Sequence, residues 1–195
     1  MTTTHTQRTA EADSVIDRAL QLGIFQNSTQ GDRLDGRLVT VEGKRQINYE
    51  SCSYLGLEMH EAVKAGVVDA TDRYGSLFSA SRGYLSSPLY IEAEKLLSTI
   101  FGRPTLLAPT TTLGHISSLP ALIPEQDALI IDQQAHNSIH VAATLVRAYN
   151  PNVSTIPHSD MTVLESKINV LAEKHDRIWY ALDGLYSMDA DPAST

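Results

Sequence analysis

From Thr105 to Leu182, short apolar segments of strand length alternate with segments of helical period, and this alternation limits the chain to an α/β fold. Thr105–Ala108, Ala128–Ile131, Val153–Ile156 and Ile178–Leu182 read as strands, and Leu113–Leu122, Ile139–Arg147 and Met161–Lys174 read as helices. Apolar strands separated by helices pack as a mostly parallel sheet covered on both faces. In such sheets ligands bind at the carboxyl ends of the strands, so the turns leaving each strand are where function is to be sought.

The segment ahead of this alternation reads differently. Residues 1–11 are polar and are expected to be disordered. Ala12–Leu22 has helical spacing with Gly23 as a stop, and Gln26–Gly36 reads as a polar loop. Leu38–Val41 and Gln46–Tyr49 flank Glu42-Gly43-Lys44 as a β-hairpin. Helices are predicted over Glu61–Arg73 and Pro88–Phe101, with the Ser- and Gly-rich stretch Tyr74–Ser87 irregular between them. The expected division is a helix-and-hairpin segment over residues 1–50 and a larger α/β domain over residues 51–195.

Composition narrows the function classes. A formal net charge of −8, without any cluster of Lys or Arg, argues against nucleic acid as a partner. No apolar run reaches the length of a membrane span, and the N-terminus has no export-signal pattern. Cys52 is the single cysteine, so no intrachain disulfide can form. The expectation is a cytoplasmic protein acting on small molecules.

Three turns carry groups suited to chemistry. Pro109-Thr110-Thr111-Thr112 opens a helix, whose unpaired amides and dipole favour an anion, and its three hydroxyls suit a phosphate. A plain helix cap would use one threonine and leave the others as filler. Asp132 to His140 follows the second strand and holds His136 and His140 four residues apart. That spacing allows a metal site with Asp132, but no third nitrogen or sulfur ligand is near, and a cofactor contact by His136 fits better. Asp183 to Asp191 follows the last strand; it lacks the glycine and glutamate of a calcium loop and the elbow of a serine nucleophile, leaving Ser187 as a hydrogen-bonding hydroxyl. No metal is expected.

Cys52-Ser53-Tyr54-Leu55-Gly56-Leu57, Asp132 with His136 and Ser138, His158-Ser159-Asp160 with Leu164-Glu165, and Asp183 to Asp191 form an ordered set. The set resembles the motifs of the α-oxoamine synthase family, pyridoxal-phosphate (PLP) enzymes of the aspartate-aminotransferase fold type, in their N-terminal half. The resemblance covers about residues 36–193. It implies a partial fold-type-I large domain with PLP as cofactor. Thr110, Thr111 and Thr112 would hold the phosphate, His136 would stack on the pyridine ring as the catalytic-site residue, and Ser187 would hydrogen-bond the cofactor. The implied reaction condenses an amino acid with an acyl thioester to an aminoketone in a homodimer.

Several positions depart from the family pattern. Ser76 to Gly83 has lost most of the family's glycines, Cys52 replaces an asparagine, and no arginine stands near Phe25–Gln26. The Schiff-base lysine and the aspartate facing the pyridine nitrogen would both follow Thr195, and Lys44, Lys64, Lys95, Lys167 and Lys174 do not match the former. The sequence-based expectation is a truncated chain, inactive alone. An aminotransferase- or lyase-like enzyme of the same fold, or a non-catalytic half working with a separate chain, stay open.

Overall fold

A computed structural model describes residues 5–194, which fall into two compact units that divide between Tyr84 and Leu85. The first contains α1 (His5–Gln21), β1 (Gln30–Asp35), β2 (Leu38–Val41), β3 (Lys44–Ile47) and α2 (Glu61–Tyr74). Its three strands form an antiparallel sheet in sequence order. Glu42 and Gly43 both have positive φ, 49° and 75°, the geometry of a two-residue hairpin turn whose twist matches its strands. Lys44 therefore pairs with Val41, and the second hairpin strand runs 44–47 rather than 46–49.

Two expectations fail in this unit. Residues 5–11 are helical, not disordered; the rest of that expectation, residues 1–4, lies outside the described residues. Gln30–Asp35 is a strand and not a loop. An edge strand needs no apolar face, so its polar sequence carried no periodic signal.

The second unit holds α3 (Pro88–Phe101), α4 (Thr111–Leu122), β4 (Ala128–Asp132), α5 (Asn137–Arg147), β5 (Val153–Ile156), α6 (Met161–Ala172) and β6 (Ile178–Ala181). Its sheet is parallel, in the order β5-β4-β6, as the strand–helix alternation requires. β4 is central and wholly buried. Its side chains alternate: Leu129 and Ile131 pack with Ile123, Ala135, Ile139, Ala143 and Val146, whereas Ile130 packs with Ile156 and Leu164. One face is thus covered by α5 and the end of α4, the other by α6. Each Leu, Ile or Val among these contributes on the order of 2 kcal/mol on leaving water. Small residues at Ala142 and Ala143, both fully buried, leave room for a neighbour close to the α5 backbone.

Thr105–Ala108 is not a strand. The amide of Thr105 donates to Ser98 Oγ at 2.9 Å and that of Leu107 to Glu94 Oε1 at 2.9 Å. Side chains of α3 take up the backbone donors that a sheet neighbour would otherwise satisfy.

Candidate functional site

All three turns singled out from sequence lie in the second unit. Thr110 is the N-cap of α4, its hydroxyl accepting from the amide of Leu113 at 3.1 Å. The amides of Thr111 and Thr112 belong to the first turn, where helical pairing leaves donors for an outside acceptor. All three threonines are exposed. Thr110 and Thr111 line an open cleft of about 920 Å³ that continues past Leu113 and His115 to Leu122; neither His136 nor Ser187 lines it.

His136 occupies the corresponding position on the next helix. As N-cap of α5, its Nδ1 accepts from the amide of Ser138 at 3.2 Å. Its own amide donates to Asp183 Oδ2 at 2.9 Å, which ties the start of α5 to the turn leaving β6. Ser138 Oγ lies 2.7 Å from His136 Nδ1 and 2.8 Å from Nδ1 of His115, one turn into α4. Hydrogen bonds thus run from α4 through Ser138 and His136 to Asp183. The structure joins α4, at His115, to His136 and the β6 turn; Ser187 is exposed four residues beyond Asp183 and is not one of the bonded groups.

Beside it stands a network that composition and spacing did not suggest. Asp132, the last residue of β4 and fully buried, accepts at Oδ1 from the Gln134 amide (2.8 Å) and faces His158 Nδ1 (3.0 Å). Its Oδ2 accepts from the Ser159 amide (2.9 Å) and the Tyr180 hydroxyl (3.3 Å). Burial pushes the Asp132 carboxyl up, but the amides of Ser159 and Gln134 and the side chains of His158 and Tyr186 outweigh it and hold it below the usual carboxylate range. Bonding to Asp132, against some desolvation, holds His158 above the ordinary imidazole value, and Asp191 adds to this at 3.6 Å. Burial, aided by Asp132, pushes Tyr180 up to about 12 and raises Tyr186 as well.

This arrangement decides the role of Asp132. Both of its oxygens are occupied by four donors from the β4, β5 and β6 ends, so it joins those turns rather than completing a metal set with His136 and His140. Tyr186, also buried, packs edge-on against His158 at 4.3 Å between ring centroids. The ten-residue loop after β6 is closed by Tyr186 N–H to Asp191 O and Ala193 N–H to Gly184 O. Ser187 therefore rides on a loop anchored by its neighbours. The sequence signals for His158 were its place just after a strand, on the same edge as Asp132, and its membership of the His158-Ser159-Asp160 motif; neither pointed to a bond with Asp132.

The donor set fits a phosphorylated aromatic group: helix-start amides and free hydroxyls for the phosphate, and an imidazole ring whose Nδ1 is engaged by the protein and whose remaining edge is exposed.

No protein-family model matches the sequence. The chain is 33% identical over 162 residues to an 8-amino-7-oxononanoate synthase of Maricaulis maris (strain MCS10), a match covering 82% of this chain and 41% of that enzyme. It is 29% identical over 163 residues to the serine palmitoyltransferase of Bacteriovorax stolpii, covering 82% and 38%. Among solved structures, a serine palmitoyltransferase variant from S. paucimobilis with bound PLP-myriocin aldimine superposes with a TM-score of 0.79 over 94% of this chain and 47% of that one, at 21% identity. The Sphingomonas wittichii serine palmitoyltransferase gives 0.77 over 98% of this chain. At such identity the likeness is one of fold, the α/β fold of type-I PLP enzymes. In sequence and in fold the chain is a homologue of the α-oxoamine synthases, PLP-dependent transferases, and it spans about two fifths of the length of the curated relatives it matches.

Proposed function

We propose that residues 51–195 form the cofactor-binding part of a PLP-dependent acyltransferase of α-oxoamine type, with residues 1–50 as an accessory segment. The whole enzyme would be a cytoplasmic homodimer joining an amino acid to an acyl thioester. One observation carries the reading: the bonds His115–Ser138–His136–Asp183 tie α4, whose first turn carries the threonines, to an exposed imidazole and the β6 turn in one continuous structure. The homology described above agrees with it.

On this reading the Thr110–Thr112 turn binds the phosphate through the Thr111 and Thr112 amides and the adjoining hydroxyls. The His136 ring covers one face of the pyridine and keeps water from it, and Asp183 fixes the His136 backbone. Ser187 donates to the ring oxygen. Bound there, the cofactor supplies an electron sink for cleavage at the substrate's α-carbon.

PLP binding to the purified chain, followed by ³¹P NMR of the cofactor phosphate, tests this. His136→Ala and Thr112→Val are each expected to weaken binding about tenfold, the equivalent of one or two lost contacts. Borohydride is expected to trap PLP on none of the five lysines. Absence of binding by the parent chain, or unchanged binding by both variants, overturns the reading.

A further inference from the structure

Ser138 stands between two histidines, and hydrogen-bond bookkeeping assigns every proton among the three. The residue is 2% exposed, so no bulk water competes for its hydroxyl. The Ser138 backbone N–H can only donate, and its acceptor is His136 Nδ1. In the neutral ring that nitrogen therefore carries no proton, and the proton is on Nε2. Ser138 Oγ lies 2.7 Å from the same Nδ1. Two lone pairs at that distance would repel, so the hydroxyl hydrogen points to His136. Oγ then has only lone pairs to offer His115 Nδ1 at 2.8 Å, and His115 must carry its proton on Nδ1.

We propose that His115 is a positioning residue for His136, acting through Ser138: His115 Nδ1–H fixes the Ser138 hydroxyl, which with its own amide holds the His136 ring in place, with Nε2–H as its outward donor. The two rings are thereby locked in opposite tautomers. The inference rests on the reading of His136 as the residue facing the cofactor, but the lock itself exists without one. The orientation of a group that must stack on a ring is set by the bond made at its other nitrogen, and that bond originates on a different helix.

The test separates the two claims. In the chain labelled with ¹⁵N-histidine, at a pH where imidazoles are neutral, ring ¹⁵N shifts are expected to show His136 as the Nε2–H form and His115 as the Nδ1–H form. Ser138→Ala, which keeps the shape of the side chain, is expected to release His115 to a mixture of tautomers, and Ser138→Thr, which restores a hydroxyl, to return it to Nδ1–H. His136→Ala is expected to release His115 as well, because the hydroxyl hydrogen loses its acceptor. A His115 tautomer indifferent to Ser138→Ala, or His136 protonated at Nδ1, overturns the proposal whatever the outcome with PLP. If the tautomers behave as stated and His115→Ala also weakens PLP binding about fivefold, an ordinary hydrogen bond's worth, the positioning role stands. Tautomers as stated with PLP binding unmoved by His115→Ala would overturn the positioning role and leave only the lock.

Discussion

Asp127 and Asp132 stand at the two ends of β4, one just before its first residue and one as its last, and both are buried. At the amino end, Asp127 accepts from Trp179 Nε1 at 2.7 Å and pairs with Arg177 Nε at 3.1 Å. The Asn150 amide closes the turn beside it on the Asp127 and Pro124 carbonyls. Indole and guanidinium donors keep their protons across the whole working range of pH. At the carboxyl end, Asp132 is held by two backbone amides, an imidazole and a phenol, two of which titrate. The edge that only supports the fold is fastened with permanent donors. The edge that carries the candidate site is fastened in part with donors that titrate.

Substitution of each aspartate measures this difference. Asp132→Asn replaces a carboxylate satisfied by four donors with an amide that must turn its NH₂ toward one pair of them. A loss on the order of 3 kcal/mol in unfolding free energy is expected. Asp127→Asn leaves Trp179 a carbonyl acceptor, and its Arg177 partner is largely exposed, so about 1.5 kcal/mol is expected. Denaturant unfolding of the two variants checks the order. Equal losses would mean that the titratable end is no more heavily fastened than the permanent one.

The pH dependence sharpens the contrast. Asp132 is depressed in the folded state, so its contribution is present above the unfolded carboxyl value and is lost as pH falls through the folded one. His158 is raised, so its contribution is complete below the unfolded imidazole value and is lost as pH rises through the folded one. The pair is tightest between these limits. In His158→Gln the alkaline decline of Tm from near-neutral pH should vanish while the acid limb persists. Asp127→Asn should lower Tm without changing the shape of the alkaline limb, because neither an indole nor a guanidinium donor is lost there. An unchanged alkaline limb in His158→Gln would separate His158 from the stability of this edge.

The same contrast explains what the sequence could and could not reveal. Val153–Ile156 and Pro88–Phe101 are found with the bounds read from sequence, because the β-branched residues Val153, Thr155 and Ile156 and an N-terminal proline are local signals. The threonine turn reads as a helix start and His136 as a residue leaving a strand; Thr110 and His136 both prove to be N-caps, a position that only the first reading contained. Thr105–Ala108 was misread because its apolar residues suit a strand, while its amides are claimed by Ser98 and Glu94 of a helix. The His115–Ser138–His136 chain and the Asp132 network were not legible at all. They depend on which side chains meet across elements, 23 residues apart for His115 and Ser138 and 26 for Asp132 and His158, and no periodicity encodes that.

The smallest expected effect concerns Tyr180. Its hydroxyl is the longest of the four bonds to Asp132, at 3.3 Å, and Ser159 continues to serve the same oxygen when it is removed. Tyr180→Phe should therefore cost no more than about 1 kcal/mol near neutrality. Its signature lies at high pH. Burial and the neighbouring carboxylate push the phenol up to about 12, so the folded state resists its ionisation. The contribution is complete below the unfolded tyrosine value and is lost as pH climbs toward the folded one. In a phenolate absorbance titration, Tyr180→Phe should delete one of the two late components, leaving that of Tyr186 and the earlier ones in place. Were both late components still present in the variant, neither would belong to Tyr180, Asp132 would not be the charge that holds its proton, and the carboxyl end of β4 would lose one of the titratable donors that set it apart from the amino end.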